Sequence, residues 1–168
     1  MRVLLIVLAT LLLSACGFHL RGAYSLPFDT LLIALPDASE LRAVIKRNIE
    51  ASTQTRIVTE IKEARAGLIV LGDVPVKRIL SLNSAGRVRE YQLTRTFTFK
   101  VIDAKGREYL PQSTIVISRD MTFDDAAVLA KEAEEVLLWR DIQNDLVQQL
   151  MRRLAATKLR PVEDATSP

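Results

Sequence analysis

The chain has 168 residues, of which 49% are hydrophobic and 26% are charged, and its formal net charge is +3. This much apolar sequence provides a packed core and excludes a disordered chain, and the small net charge gives no support to a nucleic-acid partner. The single cysteine, Cys16, and the single histidine, His19, leave no material for a disulfide within the chain or for a histidine-based catalytic or metal site. We therefore predict no enzymatic activity, no cofactor and no metal.

Residues 1–15 have the layout of a secretory signal peptide. Met1-Arg2 is positively charged, and residues 3–13 are apolar but too few to cross a membrane, which takes about 20 helical residues. Two small residues, Ser14 and Ala15, then precede Cys16. This order resembles the lipobox of bacterial lipoproteins, which implies cleavage before Cys16 and lipidation of its thiol. The alternative is an ordinary signal peptide with Cys16 buried in the fold.

Lipidation of Cys16 would fix the protein to a membrane permanently. Each buried methylene contributes about 0.8 kcal/mol, and three acyl chains hold far better than one. Gly17 follows Cys16, and the absence of Asp at this position resembles the pattern of Gram-negative lipoproteins that are sorted to the outer membrane. Removal of residues 1–15 from the 168 leaves 153, the size of one domain.

The first part of the mature chain predicts a tether, a strand, a helix and then an extended, β-branched segment at residues 56–61. Residues 16–29 include Pro27 and are expected to form a lipidated tether that docks on the domain. Residues 30–35 are apolar and predict a strand that ends at Pro36. Asp37 or Ser39 then caps an amphipathic helix, in which apolar residues recur at spacings of three and four. These are Leu41, Val44, Ile45 and Ile49.

The middle of the chain predicts two long strands joined by a turn. Residues 67–82 are β-rich, and Pro75 among them indicates an edge position or a bulge. Residues 83–86, Asn-Ser-Ala-Gly, have the composition of a hairpin loop. The return strand alternates with period two, so Arg95 on its buried side has to be paired or at the rim. The other residues of that side are Tyr91, Leu93, Phe97, Phe99 and Val101.

The last part predicts a second turn at residues 103–106, a strand at residues 113–123 and a long helix from residue 126 to about residue 156. Apolar residues recur in this helix every four positions, at Leu138, Ile142, Leu146, Leu150 and Leu154. Asp124 or Asp125 caps this helix, which would be about 45 Å long and is expected to bend near residues 137–140. The order of elements predicts an α+β class: a single two-layer domain, with two helices on one face of a mixed sheet of about four strands. The domain covers residues 30–158, and residues 159–168 are expected to be a disordered tail.

Four short segments together resemble the LptE family, the lipopolysaccharide-assembly lipoproteins of Gram-negative outer membranes. They are CGFHLRG at residues 16–22, EYQLT at 90–94, SRDMTFD at 118–124 and LAKEAEE at 129–135. The resemblance implies a non-catalytic protein, anchored by lipid to the periplasmic side of the outer membrane. It also implies a 1:1 partnership with the β-barrel LptD, whose lumen the lipoprotein occupies and whose folding it assists, and binding of lipopolysaccharide on its way to the outer leaflet.

The resemblance gives a meaning to the basic residues of the first hairpin. Residues 72–107 carry eight basic side chains against three acids, whereas residues 124–145 are mainly acidic. Lipid A carries phosphates, and Arg and Lys bind phosphate. In the family a basic residue tends to lie where Asn83 and Ser84 stand here, and Arg87 is the substitute. The candidate lipopolysaccharide-binding residues are Arg87, Arg89, Lys131, Lys77 and Arg78, and Lys105 and Arg107 are expected to add to the same field.

Each candidate also has a simpler interpretation. Lys131 would pair with Glu134 or Glu135 on the helix surface, and Arg87 and Arg89 would protect a strand edge from pairing. For the chain as a whole, the alternatives are an auxiliary lipoprotein of an ABC-type lipid transport system and a periplasmic hydrolase, against which the scarcity of histidine argues. The surface that meets a barrel stays open among the polar strand face, the hairpins and the helix.

Overall fold

Five strands and two helices make up the described part of the chain, residues 25–159, in a computed structural model. They are, in chain order, β1 (Thr30–Ala34), α1 (Glu40–Ser52), β2 (Arg56–Val58), β3 (Ala66–Leu82), β4 (Val88–Ile102), β5 (Glu108–Thr122) and α2 (Val128–Ala155). A single turn of 3-10 helix, Asp125–Ala127, leads into α2. No helix of this part of the chain is long and apolar enough to cross a membrane.

The strands form one mixed sheet in the order β2-β1-β3-β4-β5. The pairs β1–β2 and β1–β3 are parallel, and the pairs β3–β4 and β4–β5 are antiparallel hairpins. This confirms the α+β class and the two helices on one face of a mixed sheet. The sheet has five strands rather than about four, because the three residues of β2 pair with β1, from Thr30 opposite Arg56 to Leu32 opposite Val58.

Strand β3 is an interior strand at its start and an edge strand for the rest of its length. Its pairing with β1 ends at Ile69, and a bulge follows between Val70 and Gly72. Pro75 therefore lies in the part of β3 that pairs with β4 alone, opposite Arg95, and edge strands are where a sheet tolerates proline. The predicted edge position of Pro75 is confirmed.

The core lies between the two helices and the face of the sheet that they cover. The predicted alternation of β4 is confirmed, since Leu93, Phe97, Phe99 and Val101 are all buried. Helix α1 begins after Ser39, whose hydroxyl accepts a hydrogen bond from Arg42 N at 3.3 Å. The buried residues of α1 are Leu41, Ile45 and Ile49, and Phe28, ahead of β1, joins the same core.

Helix α2 has a buried half and a largely unburied half. Asp124 caps the 3-10 turn through a hydrogen bond from Ala126 N at 2.9 Å, and the helix then runs without interruption through residues 137–140, where its length suggested a bend. All of its buried residues lie at or after Ile142. They are Ile142, Leu146, Val147, Leu150, Met151 and Leu154.

The two predicted hairpin turns are confirmed, and they share one design. Asn83 Oδ1 accepts hydrogen bonds from Ala85 N and Arg87 N, each at 3.0 Å. Asp103 Oδ1 does the same for the N–H groups of the residues two and four positions later, at 2.8 and 2.9 Å. Gly86 and Gly106 occupy the left-handed position of each turn, with φ of +75° and +85°.

Asp103 differs from Asn83 in charge. Burial raises the pKa of the Asp103 carboxyl, but hydrogen bonds from the backbone and side chain of Arg107 and from Lys105 N outweigh it. The pKa consequently lies below its ordinary value. Arg107 Nε is 2.9 Å from Asp103 Oδ2.

Candidate functional site

All five candidate cations lie toward one end of the sheet, here called the hairpin end, and four of them lie away from its helix-free face. It comprises the β3–β4 turn at residues 83–87, the strand residues next to that turn and the start of α2. Lys77 of β3 contacts Glu135 of α2, and Lys131 of α2 contacts Thr122 of β5. Both lysines therefore lie on the side of the sheet that α2 covers. Arg87 closes the turn, and Arg89 lies two residues later, at an irregularity in the pairing of β4 with β3. Arg78 lies on the opposite face, where it donates to Gln92.

Lys77 is held by groups of the chain itself. Its Nζ lies 2.6 Å from Glu135 Oε2 and 4.3 Å from the centroid of the Tyr91 ring. Trp139 Nε1 donates to the other Glu135 oxygen at 3.3 Å. The ammonium group therefore has a carboxylate and an aromatic face as partners, and an external phosphate would have to compete with Glu135 for it.

Lys131 fastens α2 to the sheet. Its Nζ donates to Thr122 Oγ1 of β5 at 2.9 Å and to Glu134 Oε2 at 2.8 Å, and its side chain is only 18% exposed. The pairing with Glu134 at i+3 is thus formed, as the simpler interpretation of this lysine expected. A role in binding a ligand stays a prediction.

Arg87 and Arg89 are the accessible cations of this end. Arg87 Nη1 lies 3.4 Å from Asp125 Oδ2, and both side chains are more than half exposed. Arg89 is exposed, and its side chain has no hydrogen bond or ion pair with any residue between 25 and 159. An exposed pair of this length contributes little to stability, so both guanidinium groups are open to an incoming anion.

Lys105 and Arg107 do not add to this field, contrary to expectation. They lie in the β4–β5 turn, at the other end of the 15-residue strand β4. The two ends of β4 are about 50 Å apart at ~3.4 Å per residue. This is far beyond the electrostatic screening length of about 8 Å at physiological salt. Apart from Arg95 in the middle of β4, the cations of residues 72–107 therefore divide between the two ends of the hairpins.

The hairpin end also exposes large apolar side chains. On β3, Ile79 is 55% exposed and Leu82 is 55% exposed, and on α2 Leu129 is 82% exposed. Their exposure was not predicted from the sequence, because an apolar run in a strand pattern suggests burial. The sequence feature that could have predicted this exposure is an apolar run in a strand that Pro75 marks as an edge strand. Guanidinium groups and exposed apolar side chains at the same end of a fold suit an amphiphile that carries both phosphates and acyl chains.

The described residues show no metal site, and the open cleft among them has no catalytic arrangement. Residues 25–159 contain no group of three or more His, Cys, Asp or Glu side chains that could hold a metal ion. An open cleft of about 510 Å³ lies where β1 and β2 end. Its charged lining consists of Asp37 and Arg42, which are ion-paired at 2.8 Å, and it contains no nucleophile with an adjacent base.

Comparison with known proteins gives one consistent relationship. A family model described as "LptE: Lipopolysaccharide-assembly" matches residues 28–154. The chain is 28% identical over 155 residues to the LPS-assembly lipoprotein LptE of Pectobacterium atrosepticum, and the aligned region covers 90% of this chain and 83% of that protein. It is 27% identical over 165 residues to the protein of the same name from Yersinia enterocolitica, covering 96% and 79% of the two chains.

Solved structures of similar fold are also lipoproteins. The solution structure of uncharacterized lipoprotein B from Nitrosomonas europaea matches with a TM-score of 0.73 and 35% identity, covering 83% of this chain and 91% of that one. The crystal structure of a minor lipoprotein from Acinetobacter baumannii matches with a TM-score of 0.64 and 26% identity, covering 78% and 93%.

Proposed function

Because this chain belongs to the LptE family of lipopolysaccharide-assembly lipoproteins and is not an enzyme, we propose that it binds lipopolysaccharide at its hairpin end while it occupies the lumen of the barrel LptD. In this proposal the two proteins form a 1:1 complex. The lipoprotein assists folding of the barrel and contributes to the insertion of lipopolysaccharide into the outer leaflet of the outer membrane.

The observation that carries the proposal is the chemistry of the hairpin end. Arg87 and Arg89 present two accessible guanidinium groups, which bind phosphate oxygens bidentately. The exposed side chains of Ile79, Leu82 and Leu129 lie on the two elements that meet at this end. A phosphorylated glycolipid has a charged headgroup directly joined to acyl chains, so a single ligand of this class would use both kinds of surface.

Binding is tested by reversing the charge of the two arginines. Arg87→Glu with Arg89→Glu should weaken the affinity for purified lipopolysaccharide about tenfold, which corresponds to about 1.4 kcal/mol. The matched control is Lys46→Glu with Arg47→Glu, two exposed cations of α1 with the same charge change far from the hairpin end. Equal losses in both variants would mean that only net charge matters, and no loss in the first would remove the arginines from the site.

The barrel partnership is tested in the native membrane. A tagged form of the lipoprotein, extracted from outer membranes with detergent, should bring down one large β-barrel at equal stoichiometry. Recovery of inner-membrane transport components with bound phospholipid would instead support an auxiliary role in an ABC-type lipid transport system. Comparison of the copurifying lipids distinguishes these two outcomes.

The anchor forms part of the same proposal, and it rests on the sequence because Cys16 lies outside the described residues. The proposal is that the chain is cleaved before Cys16, acylated on the thiol and amine of that residue, and sorted to the outer membrane. The acyl groups make the mature protein heavier than unmodified residues 16–168. Mass spectrometry of the mature chain should find the added acyl groups at residue 16. A free thiol there, with no added fatty acid, would contradict the anchor. Cys16→Ser should release the protein from the membrane fraction.

A further inference from the structure

The end of the sheet opposite the hairpin end collects cations from four separate parts of the chain, and it is here called the tether end. It comprises the starts of β1, β2 and β3, the β4–β5 turn and the last turns of α2. Five exposed cations lie there, and their side chains make no hydrogen bond or ion pair with any other residue between 25 and 159. They are Arg56, Arg65, Lys105, Arg152 and Lys158.

Strand pairing brings three of these cations to the tether end. Thr30 of β1 pairs with Arg56 of β2, and the Thr30 hydroxyl accepts a hydrogen bond from Arg65 N at 2.8 Å. The start of β3 pairs with the end of β4, so the turn that carries Lys105 projects at the same end. These three cations are distant in sequence and meet only in the fold.

Helix α2 brings the other two cations, and its charge changes sign along its length. The helix contacts the hairpin end through Lys131 and the middle of β4 through Gln143, so its last turns reach the tether end. Residues 124–145 carry seven acids and two cations, whereas residues 146–159 carry three cations and no acid. Cations in a last turn also favour the helix dipole, but that effect does not account for the three cations that lie on the sheet.

The acids of the tether end do not cancel this charge. Three of them are paired with cations outside the five, namely Asp103 with Arg107, Glu108 with Lys100 and Glu50 with Lys46. The exposed charges nearby, in the described part of the chain, contribute −2 against the +5 of the five cations. They are Asp29, Glu60, Lys62 and Glu63. The tether end is therefore basic.

The tether end is also polar. Among the described residues, the large apolar side chains that are exposed belong to β3 from Leu71 onward, to β5 at Val116 and to the first half of α2. A protein interface has an apolar centre, and insertion among acyl chains requires an apolar face, so neither suits this surface. A cluster of Arg and Lys without apolar neighbours suits the anionic headgroups that a membrane presents on its surface.

The tether brings one such surface within reach. Asp29 O accepts a hydrogen bond from Arg56 N at 2.9 Å, so the chain joins the domain beside one of the five cations. Cys16 precedes the buried Phe28 by 12 residues, which span at most about 43 Å at ~3.6 Å per residue. Strand β4 is longer, at about 50 Å. With the sheet upright on the membrane, the tether can reach only if the tether end faces the membrane.

We propose that the tether end binds the anionic phospholipid headgroups of the leaflet that holds the Cys16 lipid. This inference rests on the lipidation of Cys16, which is part of the proposed function, and it adds a second contact with the same leaflet. The contact belongs to the lipoprotein before it enters the barrel, when its domain lies at the open membrane surface. Acyl chains fix only the position of Cys16, whereas a basic patch also orients the domain and leaves the hairpin end free.

The test measures vesicle binding at low salt by the mature chain, residues 16–168, with Cys16→Ser, so that the anchor does not contribute. The parent should bind vesicles of phosphatidylglycerol and phosphatidylcholine in equal amounts, and should not bind phosphatidylcholine alone. Arg65→Glu with Lys105→Glu should weaken this binding at least about tenfold, because each cation near an anionic surface contributes about fivefold. Arg87→Glu with Arg89→Glu makes the same charge change at the hairpin end and should keep the vesicle affinity.

Purified lipopolysaccharide provides the complementary measurement. The tether-end variant should bind it as the parent does, and the hairpin-end variant should lose affinity. If the hairpin-end variant keeps its lipopolysaccharide affinity, the proposed binding site fails and the tether end is judged by the vesicles alone. Because Cys16→Ser removes the anchor, failure of lipidation is likewise distinguishable from failure of the basic patch.

Three vesicle results would overturn the inference. They are a parent that does not prefer the anionic vesicles, equal binding by the parent and the tether-end variant, and equal losses in both variants, which would mean that only net charge matters. Arg65→Gln with Lys105→Gln removes the charges without reversing them. It should weaken binding by a smaller factor, and it provides the measurement if the glutamate variant does not fold.

Discussion

Lys77 of β3 and Glu135 of α2 hold the unburied half of α2 on the sheet, with Nζ and Oε2 2.6 Å apart. The same ammonium group lies over the Tyr91 ring, and the same carboxylate accepts from Trp139. Before Ile142 no residue of α2 is buried, and Leu138 and Trp139 pack against the core only partly buried. Polar contacts of this kind therefore supplement a thin apolar contact in the first half of the helix. This half is consequently expected to open more readily than the rest.

The coupling between Lys77 and Glu135 can be measured with a double-mutant cycle. Lys77→Met, Glu135→Gln and the double variant should give a coupling energy of about 0.5–1 kcal/mol, since both side chains are partly exposed. Trp139 is the only tryptophan of the chain, so its fluorescence reports the local environment of this contact directly. Strictly additive unfolding free energies, with unchanged Trp139 emission in the single variants, would show that the pair does not hold the helix.

Asp103 should make the stability of the protein sensitive to acid. Its pKa in the folded state lies below the ordinary value of 3.8, so its contribution is fully present above that value and is lost as the pH falls through the folded pKa. Asp103→Asn keeps the acceptor for the two backbone N–H groups, as Asn83 does in the other turn, but loses the attraction to Arg107. The variant should be less stable than the parent at pH 7 and should lose less stability between about pH 5 and pH 3.

Chemical unfolding at a series of pH values checks this prediction. The difference in unfolding free energy between parent and variant should shrink as the pH falls. A difference that is constant from neutral to acid pH would mean that Asp103 acts only through its shape in the turn, as an asparagine would.

Arg95 resolves an ambiguity that the sequence left open. Its guanidinium group binds both Asp73 oxygens at 2.7 Å and donates to Gln143 Oε1 of α2 at 3.0 Å. The side chain is 13% exposed, so Arg95→Met leaves the Asp73 carboxylate in a partly buried site without its cation. We expect a loss of about 3 kcal/mol in unfolding free energy. Adding Asp73→Leu to Arg95→Met should restore part of it, and a double variant less stable than Arg95→Met would contradict this account.

The fold was accessible from the sequence wherever a period extends over many residues. The alternation of β4 placed Leu93, Phe97 and Phe99 in the core, and the four-residue spacing of α2 did the same for Ile142 and Leu146. A three-residue strand such as β2 is too short to show a period, and its existence depends on pairing with β1. The start of β5 was missed for a related reason, because Pro111 interrupts the pattern between residues 108 and 113.

The candidate site was accessible only in part, because periodicity says nothing about which elements meet. The turn at residues 83–86 placed Arg87 and Arg89 at a hairpin correctly. The partners of the other cations come from distant parts of the chain, as with Lys77 and Glu135, which are 58 residues apart. Neighbours across the sheet are likewise invisible along the sequence, since Val74, Thr96 and Val116 are brought together only by strand register.

Lys131 allows a direct separation between fastening the helix and binding lipopolysaccharide. Both Lys131→Met and Glu134→Gln break the ion pair on α2, but only the first removes the cation. If Lys131 binds a phosphate, Lys131→Met should weaken lipopolysaccharide binding several-fold, and Glu134→Gln should leave it unchanged or strengthen it, because the ammonium group loses a competing carboxylate. If Lys131 only fastens α2 to Thr122 and Glu134, the two variants should change stability by less than about 1 kcal/mol each and leave affinity at the parent value. Titration of purified lipopolysaccharide against the three proteins, together with their unfolding curves, distinguishes these outcomes. Unchanged affinity in Lys131→Met would remove this lysine from the binding site.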